Sequence, residues 1–85
     1  MNTGSILLFG RLKDAFGASS IPLPEGATSA ADLRAKLAAA NPDLASLLQS
    51  RNVRIAVNQK LVADEAAQAV SPRDEIALLP PLSGG

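Results

Sequence analysis

The chain has 85 residues, 47% hydrophobic and 19% charged, a composition that fits one small globular domain and excludes a disordered segment. Eight Lys and Arg balance eight Asp and Glu, so the basic excess that a nucleic-acid partner requires is missing. With no Cys and no His, disulfide staples, thiolate nucleophiles, Cys/His zinc sites and histidine general bases are excluded.

The first apolar run is Ser5-Ile6-Leu7-Leu8-Phe9, ending at Gly10, and its length predicts a buried strand. Arg11 to Phe16 then reads as one or two helical turns. Leu12 and Phe16 share a face, and Gly17 suits a left-handed stop. Ser19 to Leu23 predicts a second strand with Ile21 and Leu23 pointing the same way. Pro22 cannot donate to a ladder, so this strand belongs at an edge. Pro24-Glu25-Gly26 is a turn.

Ser29-x-x-Asp32 fits a capping box at a helix start, with Thr28 as the alternative cap. Ala30, Leu33, Leu37 and Ala40 follow as one apolar stripe. The helix should stop before Asn41-Pro42, because a residue preceding proline disfavours the helical region. Asn41 is placed to cap a new short helix with Pro42 in its first turn and Leu44, Leu47 and Leu48 on its buried side. Val53-Arg54-Ile55-Ala56-Val57 alternates as a half-buried strand. Asn58-Gln59-Lys60 is a turn, Leu61-Val62 a short return strand, Ser71 to Asp74 another turn, and Glu75 to Leu79 the last strand.

The opening pair is hairpin-like, one main helix crosses over, and the last strand can join the first only in parallel. A mixed sheet packed on one main helix buries both the helix stripe and the alternating strand faces. That is an α+β fold of the β-grasp, or ubiquitin-like, kind, with the domain expected over residues 1–79 and an extended tail over 80–85. The apolar runs fall short of a membrane span, and no basic segment precedes an apolar leader. The expected location is therefore cytoplasmic, with no membrane and no nucleic-acid partner. Scattered carboxylates without neutral co-ligands predict no metal site.

Packing does not account for the last six residues. Pro80-Pro81 removes two consecutive backbone donors and favours an extended conformation. Six residues at ~3.3 Å each project roughly 20 Å. Side chains shrink along Leu82, Ser83, Gly84 and Gly85, and only the terminal carboxylate is charged. Such a peptide fits a narrow tunnel on another protein, and its final acyl group is unhindered. A bare carboxylate resists nucleophilic attack, but adenylation by ATP on an activating partner makes a mixed anhydride. A sulfur nucleophile then gives a thiocarboxylate, and a lysine amine gives an isopeptide. Neither product requires Cys or His in this chain. A frayed end or an expression remnant also fits Ser-Gly-Gly, and Pro80-Pro81 also fits a plain strand terminator.

The tail Leu78-Leu79-Pro80-Pro81-Leu82-Ser83-Gly84-Gly85 resembles the terminal signature of the molybdopterin synthase small subunit (MoaD) family of sulfur carriers. Leu8-Phe9-Gly10-Arg11-Leu12-Lys13, Ala56-Val57-Asn58 and Asp74-Glu75-Ile76-Ala77 are similar to other stretches of that family. The resemblance implies that Gly85 is adenylated by an E1-like, MoeB-like enzyme using ATP and receives sulfur from a donor enzyme. The charged tail then enters a MoaE-like large subunit. There sulfur passes to a cyclic pterin precursor, with the catalytic side chains on the large subunit. The implied assembly is a heterotetramer, with no cofactor bound permanently to this chain.

On that reading Gly85 carries the sulfur, Gly84 gives clearance, and Pro80, Pro81, Leu82 and Ser83 line the partner's channel. Phe9 is a candidate for a partner-facing apolar patch, although a core position is its ordinary role. Arg11, Lys13 and Arg73 are candidates to meet acidic partner residues, against the ordinary role of solvated charge. A ubiquitin-like protein modifier, a thiazole-type sulfur carrier and a plain interaction module are the alternatives. The thiazole-type carriers are shorter and lack this Pro-Pro approach.

Overall fold

Strand alternation decides the architecture. In a computed structural model, which describes residues 4–50 and 52–80, β1 (Ser5–Leu8) buries Ile6 and Leu8 on one side. β3 (Arg54–Val57) buries Ile55 and Val57, and β5 (Ile76–Leu79) buries Ile76 and Leu78. With β2 (Ser20–Pro22) and β4 (Lys60–Leu61) they form a five-stranded sheet in the order β2-β1-β5-β3-β4. β1 and β5 run parallel and the other neighbours antiparallel. This is the mixed sheet of a β-grasp fold. As expected, Pro22 lies on an edge strand, where a missing ladder donor costs little.

Helix α2 (Ala30–Ala40) contributes Ala30, Leu33, Leu37 and Ala38 to the same apolar cluster as the inward strand residues. Leu33, Ile55, Val53 and Ile6 are wholly excluded from solvent, and full burial of each such side chain stabilises the fold by roughly 1.5–3 kcal/mol. Ser29 caps the helix: its Oγ accepts from the Asp32 N–H at 3.1 Å. The Asp32 carboxylate reaches back to the Thr28 N–H, also at 3.1 Å, one residue earlier than the usual capping box.

The helix ends at Asn41 as the following proline requires. Asn41 departs from expectation, because its side chain does not cap the next helical turn. Its Nδ2 donates backward to the Leu37 carbonyl at 3.0 Å, closing α2 instead. The next residues form a 3-10 turn (Pro42–Leu44) and then α3 (Ala45–Leu48), in which Leu48 is buried and Leu44 and Leu47 pack against the cluster. Helix α1 (Arg11–Phe16) stops at Gly17, which adopts the left-handed conformation anticipated for it.

Several strand limits shift by a residue. β1 ends at Leu8, β4 comprises Lys60–Leu61 with Val62 after it, and β5 begins at Ile76. In the connection between β4 and β5, residues 63–70, unassigned from sequence, wrap the start of α2. The Ala30 and Ala31 N–H groups donate to the Gln68 and Glu65 carbonyls at 2.9 and 3.0 Å. These are helix-start donors that have no partner inside the helix. Val62 and Val70 anchor the loop in the core.

Candidate functional site: the open sheet face and the root of the tail

The sheet face turned away from α2 carries a row fixed by register. Leu7 pairs with Ser20 on one side and Ala77 on the other, Ala77 pairs with Ala56, and Ala56 pairs with Leu61. Ala56 and Ala77 are buried yet stand outside the core cluster. Their short side chains keep the middle of the face shallow between larger neighbours. Leu61 is 56% exposed.

A second row lies at the end where the chain leaves the sheet. Arg54 pairs with Leu79. Phe9 follows Leu8 as Leu79 follows Leu78, and Leu8 and Leu78 are register partners. Phe9 therefore stands beside Leu79 at the end of the parallel pair. The core role weighed for Phe9 is overturned: it lies outside β1 and is 46% exposed. With Leu7, Gly10, Lys13 and Ser20 it lines an open hollow of about 450 Å³. An exposed Phe and an exposed Leu thus share one face, separated by buried alanines.

Pro80 continues directly from this end and is half-buried. Pro81, Leu82, Ser83, Gly84 and Gly85 lie outside the described residues. Of the candidate cations, Arg11 and Lys13 belong to α1, the helix that follows Gly10. Arg54, which sequence reading passed over as the polar member of an alternating strand, joins them opposite Leu79. No ion pair to Arg11, Lys13 or Arg54 forms among the described residues.

Arg73 does not belong to this group. It sits in the turn before β5, seven residues from Pro80, which at ~3.3 Å per residue puts it roughly 20 Å away. That turn is fixed by its own network: the Ser71 N–H donates to Asp74 at 2.9 Å, and Asn58 Nδ2 donates to Asp74 Oδ1 at 3.1 Å. Leu7, Leu61 and Leu79 also escaped sequence reading. Their signal was present, as apolar residues at the outward positions of strands, where a solvated face would carry polar ones.

A second hollow, of about 420 Å³, lies between Arg34, Gln49, Arg54 and Glu65. Of its two arginines, Arg34 is fully engaged. All five N–H donors of Arg34 are used, on both Glu65 oxygens and on the carbonyls of Leu48, Ser50 and Val53. That hollow offers no free Arg34 guanidinium to an anion. Among the described residues no group of three Asp or Glu side chains gathers to hold a metal, and no helix is long and apolar enough to cross a membrane.

Comparison with known proteins assigns this architecture. The ThiS family matches residues 6–85. A molybdopterin synthase sulfur carrier subunit from Dictyostelium discoideum is 35% identical over 99% of this chain and 98% of its own. One from Haemophilus influenzae is 32% identical over 95% and 98%. Among solved structures, SAMP1 from Haloferax volcanii superposes with a TM-score of 0.76 at 26% identity, over 98% of this chain and 99% of the other. Small archaeal modifier protein 1 from Methanosarcina acetivorans reaches 0.78 at 23%, over 100% and 98%, a likeness of fold. The chain belongs to the ThiS family, and its relatives there include sulfur carrier subunits of molybdopterin synthase.

Proposed function

We propose that this chain carries sulfur as a thiocarboxylate on Gly85 and delivers it within a molybdopterin synthase. A carboxylate oxygen of Gly85 attacks the α-phosphorus of ATP on an E1-like, MoeB-like partner, and pyrophosphate leaves. Hydrosulfide released by a donor enzyme attacks the acyl carbon, AMP leaves, and the thiocarboxylate forms. The tail from Pro80 through Pro81, Leu82, Ser83 and Gly84 then enters a MoaE-like large subunit. The thiocarboxylate sulfur attacks an electrophilic carbon of the cyclic pterin precursor there and displaces an oxygen substituent. Water then cleaves the resulting thioester, leaving the sulfur on the pterin and returning Gly85 to a carboxylate. In this reading general acid and base work falls to the large subunit, and the chain has no His or Cys to share it.

The observation that carries this reading is the position of Pro80. The chain leaves β5 beside Phe9 and Leu79, at the rim of the open apolar face and next to Arg11, Lys13 and Arg54. A partner seated on that face is therefore positioned to receive the following residues, and the cations favour an acidic rim on it. The names of the curated relatives support molybdopterin synthesis as the destination of the sulfur. In this reading two copies of the chain flank a large-subunit dimer.

A second reading, as a protein modifier, is favoured by the likeness to SAMP1 at 26% identity. There the same activated acyl group would be attacked by a lysine amine, forming an isopeptide and releasing AMP. One experiment separates the two. The chain is incubated with ATP, a MoeB-like enzyme and a sulfur donor, and its intact mass is measured. Carriage gives the mass gain of one sulfur-for-oxygen exchange, followed by pterin sulfuration when the large subunit is added. Modification gives a mass shift on a target protein instead. Neither change would leave a binding module and sink both readings.

A further inference from the structure

The turn between β1 and α1 comes unusually close to the root of the tail. A Cβ built on Gly10 would stand 3.0 Å from Cγ of Pro80, and 3.8 and 3.9 Å from its Cβ and Cδ. The ring of Pro80 thus faces the bare Cα of Gly10. The glycine has φ 54 and ψ −130, a combination that residues with an L side chain rarely adopt. This conformation turns the chain off the sheet into α1, where the Leu12 N–H donates to Phe9 O and the Asp14 N–H to Gly10 O. The same two residues lie at matching ends of the parallel pair β1 and β5.

We propose that Gly10 is a positioning residue for sulfur transfer, providing the seat against which the Pro80 ring fixes the direction of the tail. This inference rests on the carrier reading above. Proline has a locked φ, so a seated ring fixes where its own carbonyl carbon stands and with it the point from which the following residues depart. Pre-setting that direction lowers the ordering cost when the tail enters a partner's channel. A methyl group at Gly10 would push the ring aside by a few tenths of an ångström. Such a tilt at Pro80 shifts the point from which the following residues start, and misplacement of about 1 Å at a reacting centre costs up to about a hundredfold in rate.

The test compares the full chain with Gly10→Ala, Pro80→Ala and the double variant. Each is charged with ATP, an E1-like enzyme and a sulfur donor, and assayed with the large subunit. Because Gly10→Ala also strains the backbone, the decisive quantity is its effect in each background. The expected result is a loss of about ten- to a hundredfold in kcat/KM for transfer when Pro80 is present. In the Pro80→Ala background the loss should be under threefold. An equal loss in both backgrounds would assign the effect to backbone strain and overturn the proposal.

Tail direction is also read without activity. Ser83→Cys introduces the single thiol of the chain, and a nitroxide attached there broadens nearby amide signals. Broadening should centre on one side of the Phe9–Lys13 rim in the parent and redistribute in both Gly10→Ala and Pro80→Ala. An unchanged pattern in two folded variants would overturn the seat. If Gly10→Ala does not fold, the Pro80→Ala pattern decides alone. Should the parent acquire no thiocarboxylate while the label pattern still responds to both substitutions, the carrier reading fails and the seat stands.

Discussion

The guanidinium of Arg34 and the carboxylate of Glu65 meet side-on, Nε to Oε1 at 2.9 Å and Nη2 to Oε2 at 2.6 Å. The same arginine donates to the Leu48 and Val53 carbonyls at 2.6 Å each and to Ser50 at 3.0 Å. It therefore joins α2, the end of α3, the entry to β3 and the loop after β4. A lysine has no fork with which to reproduce this. Arg34→Ala should lower stability by about 2–3 kcal/mol, since it leaves partly buried acceptors unmet. Glu65→Gln should cost about 1–2 kcal/mol, because the amide NH2 cannot accept one of the two arginine bonds and the other loses charge assistance. Urea denaturation measures both, and a loss for Arg34→Ala no larger than that of an exposed pair would contradict the brace.

The turn between β3 and β4 is held differently. Asn58 and Gln59 both hold positive φ, 53 and 70, so the two-residue connection is of the primed kind that suits a twisted hairpin. Asn58 tolerates this and is tied in, since its Oδ1 accepts from the Glu75 N–H at 3.0 Å. Gln59 has no such compensation among the described residues. Gln59→Gly should raise stability by roughly 0.5–1 kcal/mol by relieving the left-handed conformation. Asn58→Ala should lower it by about 1–2 kcal/mol. Thermal unfolding of the two variants should therefore shift in opposite directions, and a destabilised Gln59→Gly would contradict this account.

Much of this architecture was legible because burial writes itself into periodicity. Val53, Ile55 and Val57, the stripe Leu33 and Leu37, and the proline-marked edge strand follow directly from alternation, helical spacing and the missing donor of Pro22. What escaped was long-range and polar. Arg34 finds partners up to 31 residues away, and no local pattern announces that its five donors are all satisfied. Asn41 had a choice between two helices, and the carbonyl it accompanies decided for the earlier one. Phe9 looked like the last member of an apolar run, but β1 ends one residue before it. Arg73 and Arg11 looked equivalent as charges until the sheet put them at opposite ends of its parallel pair.

The open face should behave as a contact surface whose residues contribute little to the fold. Phe9→Asp and Leu61→Asp each add a charge to a half-exposed position, so stability should change by about 0.5 kcal/mol or less. Binding to the large subunit should weaken by tenfold or more, about 1.4 kcal/mol, as expected for a buried anchor at an interface. Calorimetric titration of the purified partners measures this. Undiminished affinity in both variants would remove the open face from the interface.

The cations at the same end make a prediction about rate. Arg11, Lys13 and Arg54 have no ion-pair partner among the described residues, so their field is available to steer an acidic partner. Replacing Arg54 and Lys13 by Glu should slow association several-fold at low salt and flatten its dependence on ionic strength. Dissociation should change less, because rim charges act chiefly on encounter. Stopped-flow association at several salt concentrations measures the slope, and an unaltered slope would return these side chains to ordinary solvation.

Deletion of Gly85 separates chemistry from recognition. The last strand ends at Leu79 and a glycine has no side chain, so removal of Gly85 deletes no apolar side chain. Stability should remain within about 0.5 kcal/mol of the parent, and the apolar face should still dock. Sulfur transfer should vanish, because the acyl carbon moves back by one residue, about 3.5 Å, and no longer reaches the atoms it must meet. Intact mass after charging, pterin sulfuration and large-subunit affinity together read this variant. Retained sulfuration would relocate the reactive group, whereas global unfolding would mean that the last residues belong to the core.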